Sequence, residues 1–133
     1  MVLAIVALAA GIVLPRLGDL GPRRLEDAAR RLADAATLAR ERAILGGAPT
    51  VLVVDLDRAR WRAEDTASVP LPSGVRFRDV VGPDGVRAWG GVLELAFDAA
   101  GDASARVDLA DADGRVASVV LPAGGGRATV IRP

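Results

Sequence analysis

Hydrophobic and polar positions change rhythm twice along this chain. Residues 1–14, from Met1 to Leu14, are apolar without interruption, and Pro15-Arg16 ends the run. From Arg23 to Leu45 the period becomes helical. Leu25, Ala28, Ala29, Leu32, Ala35, Ala36, Ala39 and Ala43 recur at spacings of mostly three and four, the pattern of one buried helix face. Glu26–Arg30 and Asp27–Arg31 are acid-before-base pairs four apart, each worth roughly a few tenths of a kcal/mol on a helix surface. Gly46-Gly47 supplies a left-handed stop and Pro49 prevents resumption. The stripe is mostly alanine, so this helix can sit close to its packing partner, which should be a sheet.

From Thr50 onward the segments shorten and the helical period is lost. Thr50–Leu56 reads as a strand with Asp57-Arg58 as its turn, and Arg60–Arg62 as the return strand of a hairpin. Val69–Gly74 holds Pro70 and Pro72, cannot join a ladder and must be loop or edge. Val75–Val80 alternates, which places Val75, Phe77 and Asp79 on one face, and Gly82–Gly91 reads as a glycine-rich loop carrying Trp89. Val92–Phe97 is a strand, Asp98–Asp102 turns the chain, and Ala105–Leu109 returns it. Asp111-Ala112-Asp113-Gly114 is a turn signal before Arg115–Leu121, and Pro122–Gly126 leads to a last strand, Ala128–Ile131. A long helix followed by about seven short strands predicts an α+β fold, the helix packed on an antiparallel sheet or sandwich.

The apolar N-terminus has three readings. A secretory signal needs a positive region ahead of the run, and none precedes it, although Ala7-Leu8-Ala9 has the composition of a cleavage triplet. Residues 1–14 fall short of the roughly 18–20 that span a bilayer, so length alone favours a buried core helix. Against that, Pro15, Gly18 and Gly21-Pro22 form a breaker-rich segment where continuous unperturbed helix is not expected.

The string VLAIVALAAGIVLPRL (Val2 to Leu17) resembles the N-terminal helix of type IV pilins and type II secretion pseudopilins. In that family a cleavage glycine, a Phe and a Thr-Leu-x-Glu precede the apolar run, and the helix often bends near a proline. The resemblance implies that Val2, Leu3, Ile5, Val6, Leu8, Ile12, Val13 and Leu14 form a membrane anchor that later packs in a filament, with Pro15 as hinge. Met1 falls a few residues after the family's glutamate, so the processing and assembly signals are missing from the chain as given. A misplaced start codon is the favoured explanation. An in-frame Gly-Phe-Thr-x-x-Glu directly upstream of the Met1 codon is the expected finding, and Met1 to Pro133 alone should not enter a filament normally.

Further on, Leu32–Ile44, Val51–Arg62 and Pro70–Phe77 are similar to segments of the GspH/FimT group of minor pseudopilins. Phe97-Asp98-Ala99-Ala100-Gly101 is similar to that group's Phe-x-x-x-Gly step, with its usual Pro-Asp replaced. The resemblance implies residues 1–22 as anchor remnant and hinge, and residues 23–133 as a periplasmic domain with stem helix 23–46 and β-rich head 50–132. It implies a subunit of the inner membrane and pseudopilus whose partners are major and minor pseudopilins and the secretion platform. The alternatives are a FimT-like minor pilin that binds DNA during uptake and a secreted β-rich domain.

Composition narrows the chemistry. The chain has 133 residues, no cysteine and no histidine, so it is one domain plus at most an appendage, without disulfides or the usual general base or zinc ligand. Its 17 basic residues, all arginine, balance 17 acidic ones. That leaves no net field to steer a polyanion. Asp55, Asp57, Asp111 and Asp113 flank turns, and no glutamate completes a calcium loop; turn chemistry explains them without a metal. Gly124-Gly125-Gly126-Arg127 lacks the helix and Lys-Ser/Thr of a phosphate loop. In FimT-like pilins a C-terminal glycine-arginine-x-arginine loop contacts DNA. Here Gly126-Arg127 match, but Thr129 occupies the second arginine's place, and Arg132 would face away from Arg127 in a regular strand. Trp61 and Trp89 read as half-buried packing, with an exposed protein contact as the alternative. No serine has a base in view, so no enzyme, cofactor or metal is expected.

Overall fold

The computed structural model describes residues 2–63, 66–98, 104–122 and 127–131, with side chains from Arg23 onward within the helix. Helix α1 runs from Val2 to Gly46, a length of roughly 67 Å at 1.5 Å per residue. It passes through Pro15, Gly18, Gly21 and Pro22, where a break was expected. An interior proline removes one N–H bond and crowds the carbonyl four residues before it, a local fault across which helix on both sides can still propagate. From Arg23 the face predicted from periodicity is the buried one. Leu25, Ala28, Ala29, Leu32, Ala36, Ala39 and Ala43 are buried, joined by Ala33 and Arg40, while Ala35 is half-buried. Of the two predicted surface pairs, Arg30–Glu26 closes at 2.9 Å, and no Asp27–Arg31 ion pair forms among the described residues. Gly47, at φ +62°, stops the helix in the left-handed region that glycine tolerates. The Thr50 hydroxyl then donates to the Ala39 carbonyl at 2.7 Å and holds the first strand against the helix.

Among the described residues nine strands follow: β1 (Thr50–Asp55), β2 (Arg60–Ala63), β3 (Val69–Pro70), β4 (Val75–Val81), β5 (Arg87–Ala88), β6 (Val92–Phe97), β7 (Ala105–Asp111), β8 (Val116–Leu121) and β9 (Thr129–Ile131). Seven correspond to the expected strands. The other two, β3 and β5, are two-residue edges in segments without alternation, and β5 lies inside the stretch expected to be loop. They form one four-stranded sheet in the order β3-β2-β1-β6 and one five-stranded sheet in the order β5-β4-β7-β8-β9, all antiparallel.

The β1–β2 and β7–β8 hairpins are those expected, but β6 and β7 do not pair with each other. β6 lies beside β1, and β7 lies between β4 and β8. The segment that was to turn β6 back onto β7 therefore crosses between sheets; its residues 99–103, including the Ala99-Ala100-Gly101 step, lie outside the described ones. Helix α1 packs mainly on β8, β1 and β7. Both sheets and the helix feed a single core in which Leu25, Leu32, Leu52, Leu95, Phe97, Leu109 and Leu121 are almost fully buried.

Strand β4 carries an irregularity that redirects a charge. Phe77 pairs with Leu109 and Val80 with Val107, so three steps on β4 match two on β7, a β-bulge. Strict alternation would point Asp79 into the core beside Phe77. The extra residue turns it to the opposite face, where it pairs with Asp108, and puts Val80 into the core instead. This corrects the face predicted for Asp79.

Candidate functional site

Val107 and Leu109 point into the core, so alternation sends Arg106, Asp108 and Ala110 to the outer face of the five-stranded sheet. Asp108 sits there almost buried beneath charged neighbours. Arg106 clasps its two oxygens with Nε and Nη2 at 3.0 and 2.9 Å, and the Ser118 hydroxyl donates at 2.6 Å. Burial raises the Asp108 pKa, but the hydrogen bonds from Arg106, Asp79 and Ser118 outweigh it and bring it down to about 2. Asp79, beside it, is 3.3 Å from Arg87 Nε through Oδ2, and its buried Oδ1 faces no donor. Burial, then the hydrogen bond and charge of Asp108, push the Asp79 pKa up against the pull of Arg87 and Arg78. A proton held by Asp79 and shared with Asp108 spares the pair two adjacent negative charges.

The two carboxyls act on stability in opposite directions. Asp108 contributes stability above the ordinary carboxylate value, lost as pH falls through about 2. Asp79 contributes stability below the ordinary 3.8, lost as pH rises through its raised folded value. Asp79→Asn is therefore expected to be more stable than wild type at pH 7, with the advantage shrinking as pH approaches 3.8. Urea midpoints at pH 7, 5 and 4 check this; an advantage independent of pH would remove the shared proton.

At the β7–β8 turn, Asp111 Oδ1 accepts the N–H groups of Asp113 and Arg115 at 2.9 and 3.0 Å, and its Oδ2 accepts Arg115 Nε at 2.7 Å. Burial raises its pKa, but these bonds win and lower it. Both oxygens of Asp111 are thus committed to closing the turn, and Gly114 takes φ +83°. Asp55 accepts the Arg58 N–H in the same manner at 3.0 Å. Among the described residues no three candidate metal ligands gather.

The two tryptophans part company. Trp61 is buried on β2, whereas Trp89 is 69% exposed on the link from β5 to β6, with Val86 and Val92 also exposed. Trp89 is therefore not the half-buried packing residue expected; it sits where the chain passes between sheets, outside either core face. Arg127 is exposed just before β9, and Thr129 lies within β9 opposite Val120. Gly124, Gly125, Gly126 and Arg132 lie outside the described residues, as do the side chains of Val2, Leu3, Ile5, Val6, Leu8, Ile12, Val13, Leu14 and Pro15. Among the described residues no helix is long and apolar enough to cross a membrane.

Arg40 gave no signal in the sequence, because its position on the helix belongs to the apolar face. It is buried, donates through Nη2 to the Pro122 carbonyl at 2.9 Å, and lies 5.8 Å from the Phe97 ring centroid. It thereby links the helix to the ends of β8 and β6 across the core.

Along the other flank of α1 runs a groove against the β2–β3 hairpin. Two cavities of about 300 and 320 Å³ share Trp61 and Val69 as a common wall. Arg24 and Arg31 line one, and Ala35, Leu38 and Arg42 the other.

A long N-terminal helix laid on antiparallel sheets defines the pilin-like α+β class. The chain shares this fold with the minor pseudopilin EpsH from the type 2 secretion system of Vibrio cholerae, at TM-score 0.59 and 16% identity, covering 83% of this chain and 98% of that one. The type IV minor pilin FimU of Pseudomonas aeruginosa also aligns, at TM-score 0.48 and 17% identity over 82% of this chain and 89% of that one. No family profile matches the sequence, and no curated protein matches it.

Proposed function

We propose that this chain is a minor pseudopilin of a type II secretion pseudopilus, an assembly subunit rather than an enzyme. The observation that carries the reading is continuity: the apolar run passes without a break into the amphipathic stem, and the stem is built into the core of the β-rich head. In this reading Val2, Leu3, Ile5, Val6, Leu8, Ile12, Val13 and Leu14 hold the subunit in the bacterial inner membrane and later pack against neighbouring helices, and Pro15 is the hinge. Residues 23–133 are the periplasmic part, and its partners are other pseudopilins and the inner-membrane platform. The fold shared with EpsH agrees with this reading.

The test is fractionation and co-purification of the whole chain expressed beside a set of type II secretion pseudopilins. The chain is expected in carbonate-resistant membranes and in complex with at least one of them. Val6→Arg with Leu8→Arg is expected to move it to the soluble fraction, since each arginine costs about 2.5–3.5 kcal/mol in the apolar layer. A chain that is soluble before substitution, and binds none of the subunits, would sink the reading.

A further inference from the structure

We propose that the free edge of β6 is a docking site for an extended segment of a partner protein. The segment adds to the four-stranded sheet as a further antiparallel strand and sets a basic side chain against Glu94. The Leu56 N–H donates to the Gly91 carbonyl at 2.9 Å, which fixes the phase of the β1–β6 ladder. Leu93, Leu95 and Phe97 therefore turn their backbone groups toward β1, and Val92, Glu94 and Ala96 turn theirs away from it. Strand β6 ends the sheet on that side, and among the described residues no backbone bond reaches Val92, Glu94 or Ala96 from beyond it. The other sheet edges are short: β3 and β5 have two residues each, with Pro70 in β3, and β9 has three. β6 runs for six residues without a proline or a basic side chain, the kind of edge that takes up a strand.

The side chains along the edge specify the occupant. Val92, Glu94 and Ala96 are exposed on the outer face of the sheet, and Trp89, just ahead of the strand, is exposed as well. Glu94 is the one charged residue of β6, and it makes no ion pair among the described residues. On the inner face Leu93 is half-buried, whereas Leu95 and Phe97 are closed off. An added strand therefore takes apolar side chains opposite Leu93 and Leu95, where they continue the core, and a basic one opposite Glu94. A second copy of β6 does not meet these requirements. Full-length antiparallel pairing of β6 with itself sets Val92 against Ala96 and Glu94 against Glu94, and like charges directly opposite are destabilising. The edge belongs to the head whether or not the chain serves secretion, so this proposal and the secretion reading fall separately.

The test is fluorescence anisotropy of a labelled, end-capped peptide, Ser-Thr-Val-Arg-Val-Thr-Ser, titrated with the full chain in detergent micelles. Its arginine falls opposite Glu94 and its valines opposite Leu93 and Leu95, and saturable binding is expected. In that register the arginine and threonine N–H groups face β6, and the valine N–H groups face away. N-methylation of the arginine and threonines should weaken binding about tenfold or more, while N-methylation of the valines should leave it within about twofold. Glu94→Arg should weaken binding of the arginine peptide about tenfold or more and accept a glutamate-centred peptide instead. Ala96→Pro removes an outward N–H, leaves the bonds to β1 in place and should also block binding. Glu41→Arg, the same charge reversal on the exposed side of the stem helix, should change nothing. A wild type that binds no peptide, equal binding of the two methylated forms, or undiminished binding by Glu94→Arg would each overturn the proposal. A wild-type dimer in sedimentation that Ala96→Pro makes monomeric would place a second copy on the edge and overturn it as well. Should Ala96→Pro fail to fold, the methylated peptides and Glu94→Arg decide the matter without it.

Discussion

Phe97→Ala is expected to lower the unfolding free energy by about 3–5 kcal/mol, the range for emptying an aromatic site in a packed core. Phe97 has no exposed surface, ends β6 opposite Thr50, and carries Arg40 above its ring at 5.8 Å. Truncation leaves a void where helix and sheet meet and removes the apolar surface against which the Arg40 guanidinium packs. Domains of this size are stable by only about 5–15 kcal/mol, so the variant should be largely unfolded in modest urea. The urea transition read from the buried Trp61 checks this. A midpoint within error of wild type would mean that the core is not closed around Phe97. Trp89→Ala, on the exposed link, should stay within about 0.5 kcal/mol of wild type in the same assay.

Ala29→Leu combined with Ala36→Leu should be nearly as damaging, by the opposite cause. Both alanines are buried on the helix face that meets β8, β1 and β7, with 0% and 1% of their surface exposed. Leucine has no room there unless α1 lifts off the sheets. Overpacking of this kind costs about 1–3 kcal/mol per site. Ala35→Leu, on the half-buried groove side, is the matched control and should cost less than about 0.5 kcal/mol. Equal losses for the control and the buried pair would show that helix propensity, rather than close approach, sets the alanine content of the stem.

The stem helix was legible because its signal is local and redundant. Leu25, Leu32 and six alanines mark one face over about five turns, and Gly46-Gly47 and Pro49 mark its end. The strands were legible one at a time for the same reason, as were the turn residues Asp111 to Gly114. β5 was missed because two residues show no alternation; only the pairing of Val81 with Arg87 and Val80 with Ala88 makes them a strand. The helix through Pro15 was missed because a breaker rule prices single residues, whereas propagation along a long helix is cooperative.

Among candidate functional residues, the apolar run and Arg127 were visible as residue types. Arg40 and the Asp79–Asp108 pair were not. Arg40 needs Phe97 and Pro122, the latter 82 residues away, to explain a buried charge. Asp79 needs the bulge at Arg78, which follows from the register with β7 and from no feature of β4 alone. The groove depends likewise on a side-by-side placement of α1 with Trp61, residues far apart in the chain.

Local order in this protein was therefore written in the chain: one apolar run, one amphipathic helix with an alanine face, short strands and their turns. Propensity, periodicity and turn chemistry act over a few residues, and a sequence displays them directly. The partition of the described strands into two sheets, the placing of β6 and β7 in different sheets, the outward turn of Asp79 and the groove between α1 and the β2–β3 hairpin came only with tertiary structure. Each depends on which distant segments share a register or a core, and that choice is made by the burial of the whole chain at once.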